Sequence, residues 1–309
     1  MLSRYEEGQL ERLLGLWKEV SPYVKRIRPL TALFKAIPAN IKMEIYWRRC
    51  RRKILCITAS SGITIYVPRD KDMMPLLSYG THEPLTTKEL CGLLSNGDVA
   101  VDVGAYVGWY AIHFSKAVGG TGKVFAFEPN PTVFPILIKN LEVNGCKNCR
   151  AFNLAVSNSN GALHLEVHPI RADRSRVVKA FEGGVVKVQS ISLDEFLPQL
   201  TDKVDLIKVD VEGIEVNVLE GCKNIIKQQL PKLFIEFHPE VLRYGERFAK
   251  LLRLLDSTYT LQFFLPRRLN LPYTMRYGKG KGACSLRPID IVKLLQYYDD
   301  ACHAILIPK

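Results

Sequence analysis

The sequence lacks the long apolar runs, repeated cysteine pairs and phosphate-cradling glycine loops that assign many chains at once. No run of about 18 apolar residues occurs, so a transmembrane helix is not expected. The opening Met1-Leu-Ser-Arg-Tyr-Glu-Glu lacks the basic-then-apolar plan of a secretory signal, which makes a soluble cytoplasmic protein the expectation. Of eight cysteines only Cys146-Lys-Asn-Cys149 form a close pair. No second pair and no histidines at ligand spacing accompany it, so no structural zinc site is expected. Neither G-x-G-x-x-G nor G-x-x-x-x-G-K-[ST] appears, which sets aside the dinucleotide fingerprint and the P-loop. No internal repeat is present.

Acidic residues are scarce in two places. The chain of 309 residues carries a net charge of +12. Residues 1–53 hold thirteen Lys or Arg against five Glu, and 267–282 hold Arg267, Arg268, Arg276, Lys279 and Lys281 with no acid. The remainder is nearly neutral. Basicity confined to two appendages points to an anionic partner there, either an anionic membrane surface or an anionic substrate. The amphipathic, basic first fifty residues would suit the surface of an anionic bilayer, giving a cytoplasmic protein held peripherally at the membrane.

What is present is a regular alternation. Residues 6–36 place Leu10, Leu13, Leu14 and Trp17 at helical spacing, broken by Pro22 and Pro29, which predicts two or three short helices. Strands are expected over 54–58 and 63–67 with a hairpin turn at Ser-Ser-Gly62, then a lead-in helix over 85–94. From Asp98 strands at 99–103, 123–128, 150–156, 204–209 and 233–237 alternate with helices at 108–118, 133–144, 215–227 and 241–256. Extra strands at 163–167 and 185–189 flank a polar loop, and a short helix opens at 192–197. Strands at 259–265 and 303–307 close the sheet, separated by the basic loop and a helix over 288–298. This rhythm means βαβ units and a mostly parallel α/β sheet. The expected organisation is a basic helical extension (1–53), a hairpin and lead-in helix (54–97) and one α/β domain (98–309).

In such a sheet the carboxyl ends of the strands form the crevice where ligands bind. Two strands end there in acid and glycine: Val99-Ala-Val-Asp102-Val-Gly104-Ala-Tyr-Val-Gly108, and Asp205-Leu-Ile-Lys208-Val-Asp210-Val-Glu212-Gly213-Ile-Glu215. Gly108 lets the following helix approach the strand closely. Glu128 ends the second strand in Phe125-Ala-Phe-Glu128-Pro129-Asn130-Pro131, where an acceptor-only carboxylate suits the two hydroxyls of a ribose diol. Asp102 would repel a pyrophosphate but not a cofactor bearing an ammonium and a sulfonium.

These motifs resemble the FkbM-type S-adenosylmethionine-dependent methyltransferases from about Gly62 through Lys309. The matching pieces are Asp102 to Tyr110, Phe127 to Pro131, Asn153 to Ser157, Ser192 to Phe196, Ile207 to Glu215 and Glu236 to Glu240. The resemblance implies a class I methyltransferase (Rossmann-like) fold of seven strands, the last antiparallel, with S-adenosyl-L-methionine as cofactor. By position it implies Asp102, Gly104 and Gly108 near the methionine moiety, Glu128 on the ribose, and Ala155 and Ser157 near the adenine. Ala105, Tyr110, Pro129, Asn130 and Asp210 are the further cofactor-binding residues it implies.

Side chains two apart on a strand share a face. Lys208 with Asp210, and Glu236 with His238, are therefore expected together on neighbouring strands. Four ionisable groups at buried strand ends are costly unless paired or functional. Methyl transfer to a hydroxyl requires an in-line acceptor and a group to take its proton. Asp210 and Glu212 are expected to orient the acceptor and His238 to act as base or relay. A divalent metal held by Asp210 and Glu212 is the alternative, although no metal is the expectation adopted.

The expected activity is methylation of a hydroxyl on a sugar, glycolipid or other small metabolite. The alternative is an RNA ribose methyltransferase using the basic extension and loop. An amine-modifying enzyme is disfavoured because Asp210-Val-Glu-Gly stands where Asn/Asp-Pro-Pro-Tyr/Phe is usual. A third reading is a non-catalytic protein that binds the cofactor or a membrane.

Overall fold

A computed structural model describes residues 54–68, 76, 80–166, 176–177, 185–266, 288, 291–298 and 301–309. The helices expected in 6–36, the basic knot at 47–53, the basic loop 267–282 and most of the loop 169–184 lie outside these residues. The hairpin forms as expected, β1 (Ile54–Thr58) pairing antiparallel with β2 (Thr64–Pro68). Helix α1 (Pro84–Gly92) then leads through β3 (Val99–Val103), α2 (Trp109–Ala117), β4 (Lys123–Phe127), α3 (Phe134–Val143) and β5 (Cys149–Phe152). Four short strands follow: β6 (Ala155–Val156), β7 (Gly161–Glu166), β8 (Arg176–Val177) and β9 (Val185–Ile191). After the one-turn helix α4 (Leu193–Phe196) come β10 (Leu206–Val209), α5 (Glu215–Glu220), α6 (Lys223–Gln229) and β11 (Lys232–Phe237). Helix α7 (Glu246–Thr258), β12 (Tyr259–Pro266), α8 (Ile291–Tyr298) and β13 (Cys302–Pro308) complete the order.

Seven strands form one sheet in the order β12-β13-β11-β10-β3-β4-β5. The last strand, β13, is antiparallel to both neighbours, while β11, β10, β3, β4 and β5 pair in parallel. Every residue of β3 is buried, because helices cover both faces of such a sheet. Its alternate residues split between two cores. Val99, Val101 and Val103 pack with residues of α5, α6 and α7, and Ala100 packs with residues of α2 and α3.

The opposite parity carries the chemistry. On the Ala100 face, Asp102 stands beside Lys208 and Glu236 beside His303 in the strand register. Polar pairs thus meet across two strand boundaries, β3/β10 and β11/β13, while Lys208 stands opposite Phe234 at the boundary between them.

Two asparagines fasten the hairpin to this frame. Asn144 Oδ1 accepts from Thr64 N at 3.2 Å and its Nδ2 donates to Thr64 O at 2.6 Å. Asn140, one turn earlier on α3, does the same with Tyr66 N and O and also donates to Val107 O. Spaced at i and i+4 on one helix face, the two amides satisfy the edge of β2 as a neighbouring strand would.

Three expected elements are subdivided. The strand expected over 150–156 stops at Phe152, and Ala155–Val156 joins β9 in a separate sheet of order β6-β9-β7-β8. The helix expected over 215–227 breaks at Gly221, where a Cβ would lie 1.9 Å from the Ser157 carbonyl oxygen. A new helix starts at Lys223 because the Asp194 carboxylate accepts the Asn224 and Ile225 N–H groups, supplying its cap. The helix expected over 241–256 is a 3-10 turn followed, after Gly245, by α7. Cys146 and Cys149 are both free thiols. Among the described residues no helix is long and apolar enough to cross a membrane.

Candidate functional site

The turn after β3 and the turn after β10 touch. Gly104 sits at φ +76°, and a Cβ there would fall 1.8 Å from the Asp210 carbonyl oxygen. Only glycine permits both the left-handed backbone and that approach. The contact places the carboxyl ends of β3, β4 and β10 around one cleft of about 1160 Å³, counted out to its open mouth.

Glu128 is the fixed point of one end. It is 6% exposed, and its two carboxylate oxygens accept separate backbone N–H groups, Tyr106 N on Oε2 and Asn130 N on Oε1, each at 2.8 Å. A carboxylate offers about four acceptor positions, so about two remain for a diol entering the cleft. Burial raises its pKa to about 7 against the pull of those N–H groups and of Lys208, with Asp102 adding to the rise. Beside it Phe127, Leu154, Ala155, Val156 and Leu165 line an apolar slot.

Lys208 holds the centre. Its Nζ lies 3.2 Å from Asp102 Oδ1 and 3.5 Å from Asp210 Oδ2, donates to Gly104 O at 3.1 Å and stands over the Tyr110 ring at 5.1 Å. Burial alone would lower its pKa, but Asp102 and Asp210 outweigh that and hold it above the ordinary lysine value. Asp102, wholly buried, is raised by burial in spite of Lys208. Asp210 is raised to about 7 by burial and by Glu236, with Lys208 and His238 opposing.

The other end is built on β11. His238 Nδ1 lies 2.7 Å from Oε1 of the fully buried Glu215, while its Nε2 lies 3.5 Å from Glu212 and 3.6 Å from Glu236. Burial favours the neutral ring, yet these carboxylates hold its pKa well above the ordinary histidine value. Glu212 keeps a left-handed backbone, φ +54°, a conformation costing about 1–3 kcal/mol that clusters at functional sites.

The structure therefore gathers Gly104, Ala105, Tyr110, Glu128 and Pro129 on the cleft wall with Ala155, Lys208, Asp210, Glu212 and Glu236. Asp102, Gly108, Asn130, Ser157 and His238 are not on that wall. Asp102 and Asn130 support residues that are, Gly108 caps α2, and His238 stands behind Glu212 and Glu236.

Two residues outside the sequence reading join the site. Glu83, just before α1, lines the cleft and accepts the Tyr110 hydroxyl at 2.5 Å. His303 Nε2 lies 3.1 Å from Glu236 Oε2 and 3.8 Å from Glu83 Oε1. A histidine inside the otherwise apolar β13 is the one signal that marks it; Glu83 has none.

A model of the family described as the methyltransferase FkbM domain matches residues 102–261. The chain belongs to the FkbM methyltransferase family. Among its relatives is hexuronic acid methyltransferase AglP of Haloferax volcanii, 33% identical over 145 residues, which are 47% of this chain and 57% of that protein. Methyltransferase sdnD of Sordaria araneosa is 31% identical over 165 residues, 43% of this chain and 63% of that protein. The chain thus spans 57% and 63% of the length of these two relatives. A crystal structure of methyltransferase FkbM from Methylobacillus flagellatus is similar at 19% identity and TM-score 0.39, over 54% of this chain and 40% of that one. The matched span, residues 102–261, supplies every residue lining the cleft except Leu76, His82 and Glu83.

Proposed function

We propose that this FkbM methyltransferase uses S-adenosyl-L-methionine to methylate a hydroxyl of a sugar, glycolipid or other small metabolite. The observation that carries the reading is Glu128, a buried carboxylate held by two backbone N–H groups with acceptor positions left for a ribose diol. The donor set fits the cofactor elsewhere as well. The apolar slot beside Ala155 suits an adenine, and carboxylates near Gly104 suit a sulfonium and an ammonium. When bound, the cofactor supplies a sulfonium methyl group, whose carbon–sulfur bond breaks as the acceptor oxygen bonds to carbon, the electron pair staying on sulfur.

The chain's own residues position the acceptor and take its proton. Asp210 and Glu212 reach the cleft, their side chains 29% and 24% exposed, and orient the hydroxyl. Glu212 receives the proton as the oxygen attacks. His238 stands behind Glu212 and faces its new charge state, a relay position rather than a place in direct contact with the acceptor. A sugar acceptor draws support from AglP, named for hexuronic acid. The basic segments 1–53 and 267–281 supply the positive charge that an anionic acceptor or an anionic membrane surface would meet.

The test incubates purified protein with methyl-labelled adenosylmethionine and an extract of the source organism, then fractionates the products. Label in glycans or small metabolites is expected. Label confined to RNA overturns the reading in favour of ribose methylation, and cofactor binding with no labelled fraction favours a binding protein. The His238→Ala variant is expected to turn over more slowly at nearly unchanged cofactor affinity.

A further inference from the structure

The acceptor end of the cleft is richer in carboxylates than one sulfonium balances. Asp210, Glu212, Glu215 and Glu236 meet around His238, and Lys208 is already engaged with Asp102 and Asp210. Buried carboxylates in such number call for a cation.

His238 is mounted as a metal-binding imidazole is. Oε1 of Glu215 accepts the Gly213 N–H at 2.9 Å and lies 2.7 Å from His238 Nδ1, so Nδ1 is the protonated nitrogen of the bond. A carboxylate on one ring nitrogen fixes tautomer and ring plane, leaving the other nitrogen to the metal. That other nitrogen, Nε2, is buried and makes no hydrogen bond, with Glu212 and Glu236 oxygens the nearest charged atoms at 3.5 and 3.6 Å. One ligand atom each from Asp210, Glu236 and His238 lie within 4.8 Å of one another. Small side-chain rotations bring three such atoms to the roughly 2.0–2.2 Å of a divalent metal bond.

We propose that Asp210, Glu236 and His238 form a divalent-cation site at the acceptor end of the cleft. Two carboxylates and one imidazole suit Mn²⁺ or a metal of similar hardness. The carboxylates of Glu212, Glu215 and Glu236 around His238 supply the negative charge that would hold the cation. Asp210, partly exposed to the cleft, leaves coordination positions open on that side. An acceptor hydroxyl bound there loses its proton more readily, with Glu212 still receiving it. Glu236 is braced from behind by His303 and is the ligand that ties the site to the last strand.

The catalytic use of the cation rests on the methyltransferase reading; its binding does not. The experiment therefore titrates Mn²⁺ alone into the chelator-treated 309-residue chain, by calorimetry and by electron paramagnetic resonance. Saturable Mn²⁺ uptake is expected, lost in Glu236→Gln, His238→Ala and Asp210→Asn and weakened about 10–100-fold in Glu215→Gln. Thermal melting of each variant separates lost ligation from lost fold. No saturable uptake by the wild-type protein, or uptake unchanged in folded variants, overturns the site. A parallel titration with adenosylmethionine keeps the two readings apart. Mn²⁺ uptake without cofactor uptake sinks the methyltransferase assignment and leaves the metal site standing, and the reverse result does the opposite.

Discussion

The proposed seat of the ribose diol on Glu128 predicts a cofactor affinity that depends on pH in a definite direction. Its carboxyl titrates near pH 7 because burial penalises the charged form, while Tyr106 N, Asn130 N and the more distant Lys208 favour it and Asp102 opposes it. Only the ionised form accepts on all its lone pairs, so only that form holds both backbone N–H groups and a ribose diol. With half-protonation near 7, about nine-tenths of the cofactor-free molecules are ready at pH 8 and about one-tenth at pH 6. The Kd for adenosylmethionine is therefore expected to rise about ten-fold from pH 8 to pH 6, if the protonated form binds negligibly. Calorimetry at both pH values measures this directly. The cofactor's own amino group titrates in the same range, so Glu128→Gln is the reference. That variant should bind about 10–100-fold more weakly at pH 8, for the loss of a charge-assisted acceptor worth about 1.5–3 kcal/mol, and its Kd should lack the Glu128 part of the slope. A wild-type Kd that is flat between the two pH values, or a slope preserved in Glu128→Gln, would refute the reasoning. The sign for stability is the reverse. A carboxyl whose folded pKa is raised contributes stability that is full below about pH 4.5 and is lost as pH rises through about 7. The cofactor-free protein thus carries an ionised Glu128 at a cost, which occupancy of the cleft offsets.

Three further outcomes follow from the same geometry. Lys208→Met leaves Asp102 and Asp210 facing each other without their cation and should cost about 3–5 kcal/mol in denaturant unfolding; a loss under about 1 kcal/mol would mean the carboxylates do not need it. Gly104→Ala drives a Cβ into the Asp210 carbonyl and should cost about 2–4 kcal/mol together with cofactor binding, whereas wild-type melting and affinity would mean the two turns are not in contact. Asn140→Ala removes bonds to Tyr66 N, Tyr66 O and Val107 O. It should speed amide exchange at Tyr66 while leaving β3 and β10 protected, at a cost of about 2–4 kcal/mol. Unchanged exchange would mean the hairpin is held by other contacts.

The central strands were legible because their local pattern and their tertiary setting agree. Val99-Ala-Val-Asp-Val reads as a doubly covered strand, and β3 occupies those five residues. The breaks were not legible because their causes are distant. Gly221 ends α5 where the Ser157 carbonyl lies against it, and Asp194 caps α6 from 30 and 31 residues away. Likewise Ala155–Val156 continues an apolar run, yet pairs with β9 rather than with its neighbours in the main sheet.

The site divides along the same line. Asp102, Glu128, Lys208, Asp210 and Glu236 lie at strand ends, where an acidic or basic residue interrupts an apolar run and position in the sheet gives the direction of the side chain. Glu83 and His303 enter only because β13 returns antiparallel against β11 and sets His303 opposite Glu236. No local pattern can report a partner that the last strand delivers. The physical demand itself was legible. A buried Glu236 needs a compensating group, since an isolated ionised carboxylate in the interior shifts its pKa or finds a partner. Two imidazoles meet that demand, with His238 near Oε1 and His303 near Oε2. Glu236 thereby lines the cleft while one of its oxygens stands 3.1 Å from His303, an arrangement that the packing of β11 alone would not require.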